Sequence, residues 1–91
     1  MPATYSVVVD RSVDLDEVEL DDLGVEQRLS SSHALVRTEL TQSELYHDIK
    51  WRLPDGTSLF VGRLADTPKM KGQRPGSVAW SRRHVTAQDQ E

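Results

Sequence analysis

Asp48-Ile49-Lys50-Trp51-Arg52-Leu53, then Pro54-Asp55-Gly56, then Thr57-Ser58-Leu59-Phe60-Val61-Gly62-Arg63-Leu64 is the stretch on which the fold turns. Both flanks alternate in the manner of strands. Ile49, Trp51 and Leu53 share one side of an extended chain, and Leu59 and Val61 share one side of its neighbour. Between them Pro54 fixes φ for a tight turn, and Gly56 supplies a positive φ. The spacing predicts an antiparallel hairpin of 48–53 with 58–64, with Trp51 across from Leu59 and Ile49 across from Val61. That register gathers the apolar residues on one face, and a slip of one residue splits them.

The residues just before the hairpin carry a competing signal. Thr41-Gln42-Ser43-Glu44 is a capping box, and Leu40 with Leu45 is placed to form the hydrophobic staple around it. Leu45, Ile49, Trp51 and Leu53 nevertheless all fall on odd numbers, which is strand parity. One or two helical turns over 42–47, followed by a strand over 48–53, accommodates both signals.

Further upstream, Thr4-Tyr5-Ser6-Val7-Val8-Val9 reads as a buried strand from its β-branched and aromatic content. Asp14 and Glu17 resemble a second capping box, and Gly24 is placed to end a short helix over 13–24. Val25 begins a further strand, and Ser30-Ser31-Ser32 breaks it. Ala34, Val36, Thr38 and Leu40 then alternate as a half-buried strand. Downstream, Asp66 to Gly76 holds two prolines, two glycines and three bases in eleven residues, the composition of a mobile loop. Ser77 to Arg83 reads as a last strand with Val78 and Trp80 on one face. Residues 86–91 read as a frayed tail.

These elements predict one α+β domain over 1–91. It has a small antiparallel sheet of about four to five strands with one or two short helices. The element order loosely resembles a ferredoxin-like sandwich over its first half, and no motif attaches a family to it. Leu, Ile, Val and Phe supply 22 of the 91 residues, above the roughly 20% at which a chain defaults to disorder. The core is therefore expected to be thin, and docking onto a partner can add the burial that it lacks.

Several chemistries are excluded or disfavoured. Without cysteine there are no disulfides, thiolate zinc sites or cysteine nucleophiles. The N-terminal apolar run Val7-Val8-Val9 is too short for a signal peptide or a spanning helix, so a cytoplasmic location is expected. An EF-hand frame started at Asp14 fails, with Val18 and Glu19 at positions five and six. His33, His47 and His84 form no metal-binding pattern. Ser31-Ser32-His33 is adjacency and not a nucleophile–base geometry, and no phosphate-cradling glycine loop occurs. The expectation is a non-catalytic domain with no metal and no cofactor.

Charge is laid out unevenly along the chain. Asp10 to Asp22 holds seven acids against Arg11, and Lys50 to Arg83 holds eight bases against Asp55 and Asp66. Two such segments either face each other or form a dipolar surface that orients a partner. The leading reading is a protein-binding domain of adaptor, inhibitor or immunity type. Its candidate contact residues are Lys69, Lys71, Arg74, Trp80, Arg82 and Arg83 on the basic side and Asp21 and Asp22 on the acidic side. The alternative is nucleic-acid binding through 50–83, where Lys50-Trp51-Arg52 and Trp80-Ser81-Arg82-Arg83 interleave aromatics and bases. Trp51 and Trp80 read as core residues first and as interface anchors second. A sheet edge offers a route to a homodimer.

Overall fold

A computed structural model describes residues 2–85. Four strands form one antiparallel sheet: β1 (Ala3–Val9), β2 (Val25–Ser30), β3 (His33–Thr38) and β4 (Leu59–Arg63), in the order β2-β3-β1-β4. Helix α1 (Gln42–Lys50) joins β3 to β4, and helix α2 (Ser77–His84) follows the long loop after β4. β1 and β2 run parallel with β3 between them, and β3 and β4 run parallel with β1 between them. Two interleaved split crossovers of this kind give the expected ferredoxin-like element order.

The helix expected over 13–24 is replaced by two 3₁₀ turns, Leu15–Glu17 and Asp21–Leu23. Asp14 caps the first by accepting from the Asp16 N–H at 2.9 Å. The apolar residues explain the difference. Leu15, Leu20 and Leu23 are each buried, yet they do not fall on a single stripe of an α-helix, so two short turns bury them where one helix would not. Gly24 follows at φ 151° and ψ −153°, a region that essentially only glycine occupies. A Cβ there would lie 2.1 Å from the Arg37 carbonyl oxygen.

The capping box is present, with the Glu44 N–H donating to Thr41 Oγ1 at 3.1 Å and the Thr41 N–H to Glu44 Oε1 at 2.8 Å. The helix that it starts does not stop at 47. It continues to Lys50 with Trp51 as its C-cap, so the hairpin of 48–53 with 58–64 does not form. Leu45 and Ile49 are four residues apart, a spacing that fits both helix and strand parity, and both are buried. Trp51, expected in the core across from Leu59, is 81% exposed. The turn itself is there: the Thr57 N–H donates to the Pro54 carbonyl at 3.2 Å, and Gly56 has φ 82°. It links a helix to β4 rather than strand to strand, and the sheet's hairpin is β2–β3 instead.

The segment 77–83, expected as a strand, is the helix α2. Ser77, Trp80 and Ser81 are buried while Val78 and Ala79 are exposed, a period of 3.6 and not of 2. Arg82, Arg83 and His84 in its last turn suit the negative end of the helix dipole.

Apolar residues cover both faces of the sheet. On one face Tyr5, Val7, Ala34 and Val36 meet Leu15, Leu20, Leu45 and Ile49. On the other, a smaller cluster of Leu29, Leu35 and Trp80 is joined by Leu64 and Met70. Helix α2 is held there by the Thr4 hydroxyl donating to the His84 carbonyl at 3.0 Å, and Trp80 packs against the His84 ring. The tail over 86–91 lies outside the described residues.

Candidate functional site

Arginines placed by different elements bind the acidic segment back onto the fold. Arg74, in the loop after β4, makes a bidentate pair with Asp16 at 2.6 and 2.6 Å. Arg52, just past α1, makes another with Asp22 at 2.6 and 2.8 Å, and also donates to the Glu19 carbonyl and to Asp48. Arg28 on β2 donates to the carbonyls of Leu15 and Val18 and to Glu26. The Arg74 guanidinium holds the Asp16 carboxyl below its ordinary range, and Arg52 does the same for Asp22. Part of the basic half of the sequence is thereby spent on the acidic half. Arg74 and Asp22, both candidate contacts, are engaged within the chain.

Trp80 is 5% exposed and packs against Leu29 and Leu35, so as a partner contact it is corrected to a core residue. A large indole beneath a helix is worth more buried than displayed. Asp21 is exposed on the second 3₁₀ turn.

The remaining bases converge. The loop and α2 enclose two adjoining hollows of about 450 and 400 Å³. Met70, Val78 and Arg82 line both, Lys71 stands on the wall of one and Lys69 on the wall of the other. Val78 and Arg82 are one helical turn apart on the outer face of α2, and Val78 is 43% exposed. Lys69, Lys71, Arg82 and the neighbouring Arg83 are exposed, and no carboxylate pairs with them among the described residues. The result is an apolar floor with an uncompensated cationic rim. The loop that carries it is tethered at its base. The Leu64 N–H donates to the Thr4 carbonyl, the Arg74 N–H to the Leu29 carbonyl, and the Thr67 hydroxyl to the Val85 carbonyl.

Other places offer less. A further hollow, about 570 Å³ between Asp22–Val25, Arg37–Leu40 and His84, has walls already engaged: Asp22 and Asp48 hold Arg52, and Arg37 bonds Thr4 and His84. Ser6 Oγ lies 2.8 Å from His33 Nε2 across β1 and β3, a serine–histidine contact made by folding and not by the Ser31-Ser32-His33 adjacency. Burial pushes His33 below its ordinary pKa. No carboxylate orients its other nitrogen among the described residues. No cluster of three or more His, Asp or Glu that could hold a metal occurs among the described residues, and no helix there is long and apolar enough to cross a membrane.

Sequence reasoning found the basic residues but not their convergence. The usable signal was the 77, 80, 81, 84 spacing after Pro75-Gly76, which marks α2 and turns Val78 and Arg82 toward the loop. Comparison with protein families, curated proteins and solved structures returns no match.

Proposed function

We propose that this chain is a non-catalytic domain that binds another protein. The contact surface is the groove between the 64–76 loop and α2, and the partner presents an acidic segment with apolar anchors. The observation that carries the reading is the apolar floor of half-buried Met70 and exposed Val78, rimmed by Lys69, Lys71 and Arg82 without a carboxylate of their own among the described residues. A surface of this kind gains from apolar burial at its centre and from charge complementarity at its rim. Adaptors, inhibitors and immunity-type proteins all act through such surfaces. Nucleic-acid binding is the poorer fit, because Trp80 is buried and Trp51 is not among the lining residues of either hollow, which leaves the bases there without a stacking platform. A cytoplasmic setting goes with the proposal, since packing and ion pairs hold the fold without any oxidised staple.

The test compares the wild-type chain with a Lys69→Glu, Lys71→Glu, Arg82→Glu variant in pull-downs from the native host, alongside titrations against random DNA and RNA. The proposal expects a protein recovered by the wild type and lost with the variant, with modest weakening as salt rises. Tight binding to nucleic acid that falls by orders of magnitude between about 50 and 200 mM salt would refute it.

A further inference from the structure

β4 closes one side of the sheet, and the parity of its ladder fixes what it offers to solvent. The Leu64 N–H donates to the Thr4 carbonyl at 2.9 Å, and the Asp10 N–H to the Ser58 carbonyl at 3.2 Å. The register between them pairs Phe60 with Val8 and Gly62 with Ser6. Phe60 and Gly62 therefore turn their main-chain groups toward β1, while Leu59, Val61 and Arg63 turn theirs outward. Gln42 Oε1 accepts the Arg63 N–H at 3.2 Å. Leu59 and Val61 have no partner on that side among the described residues.

The side chains on this edge are not the usual guards. Phe60 is 61% exposed, and its ring leans over Gly62, 3.0 Å from where a Cβ would stand. Natural edges more often carry lysine, proline or a bulge at such a place.

We propose that β4 pairs with β4 of a second copy of this chain, antiparallel about a two-fold axis at Val61, to form one continuous eight-stranded sheet. The strand is complementary to itself in that register. Val61 meets Val61, and Leu59 meets Arg63, all of them residues whose main-chain groups face outward, and the Arg63 N–H exchanges its Gln42 Oε1 acceptor for the Leu59 carbonyl of the second copy. Phe60 then lies opposite Gly62 of the partner copy, twice, so no second large side chain stands directly across from either ring. Centring on Arg63 instead would set two like charges directly across from each other, and centring on Leu59 would bring Phe60 against Ser58. Arg63 and the turn residue Asp55 are both exposed and make no ion pair among the described residues, so no internal charge pair has to break at this edge. The contact is one strand pair and small for a protein interface, so the dimer is a weak, reversible one.

Sedimentation equilibrium of the full chain, from micromolar to millimolar concentration, is expected to show the mass rising from monomer to dimer. Phe60→Lys is expected to remain monomeric with an unchanged circular dichroism spectrum, because residue 60 is exposed. The register has its own test, since the chain holds no cysteine. Val61→Cys brings two thiols to the axis, where Cα atoms of a hydrogen-bonded pair stand about 5.5 Å apart, within disulfide reach. Phe60→Cys sets its thiols on a diagonal of roughly 7–8 Å. Val61→Cys should therefore cross-link several-fold faster under mild oxidation. A monomer at every concentration, a dimer indifferent to Phe60→Lys, or equal cross-linking of the two cysteine variants would each overturn the proposal.

Discussion

Replacing Trp80 by alanine separates the two tryptophans and tests how α2 is held. Trp80 is 5% exposed beneath α2, against Leu29 and Leu35, whereas Trp51 is 81% exposed at the end of α1. A buried indole removes about 200 Å² from water, which at about 25 cal/mol per Å² is roughly 5 kcal/mol. Measured Trp→Ala losses in cores run to about 3–5 kcal/mol. Domains of this size hold only about 0.05–0.15 kcal/mol per residue, so Trp80→Ala removes a large fraction of the total. The thermal midpoint should fall by more than about 12 °C. Trp51→Ala, which deletes little buried area, should stay within about 0.5 kcal/mol of wild type. Urea denaturation followed by circular dichroism measures both variants. A Trp80→Ala loss below about 1 kcal/mol, or a Trp51→Ala loss above about 2 kcal/mol, would refute the assignment of the two residues.

Three further outcomes are expected. Gly24→Ala, which drives a Cβ to 2.1 Å from the Arg37 carbonyl, should cost more than Gly56→Ala. The latter meets open space at φ 82° and should lose about 1 kcal/mol, as equilibrium denaturation can compare. Acidification should destabilise the fold in two stages. Burial lowers the pKa of His33 and of His84 in the folded state, so unfolded chains bind more protons as pH falls below 6.5. Asp16 and Asp22, held down by Arg74 and Arg52, add a second loss that begins below the ordinary carboxylate range, near pH 4. A midpoint that does not change between pH 7 and pH 5 would contradict the histidine part. Backbone relaxation should find the tip of the loop at Lys69–Gly72 more mobile than its tethered ends at Leu64 and Arg74.

Three strands were legible: 4–9 from its β-branched and aromatic content, 34–40 from its alternation, and 58–64 from the run Leu59-Phe60-Val61 after the turn, close to the strands at 3–9, 33–38 and 59–63. The capping box at Thr41 and the turn at Pro54–Thr57 were also readable, because each is specified by residues adjacent in sequence. What misled was arithmetic shared by two geometries. Leu45 and Ile49 differ by four, an even number that a strand face and a helix face both allow, and Trp51 and Leu53 extended the odd series by coincidence. In α2 the pair Val78 and Trp80 suggested a strand. Burial of Ser77 and Ser81 beside Trp80 decides for a helix, and small polar residues give no hydropathy signal for that. The groove depended on which bases the fold had already matched with acids. Nothing in sequence order distinguishes Arg74, paired with Asp16, from Lys69 and Lys71, which are not.

The cationic groove can be tested without knowing the natural partner. Amide spectra of ¹⁵N-labelled chain are recorded while a short peptide of alternating glutamate and leucine is added at low salt. Shifts should concentrate at Lys69, Met70, Lys71, Val78 and Arg82, the residues around the two hollows, and shrink as salt is raised. Unchanged signals at those residues, with shifts elsewhere or none at all, would contradict binding of an acidic protein segment between the loop and α2.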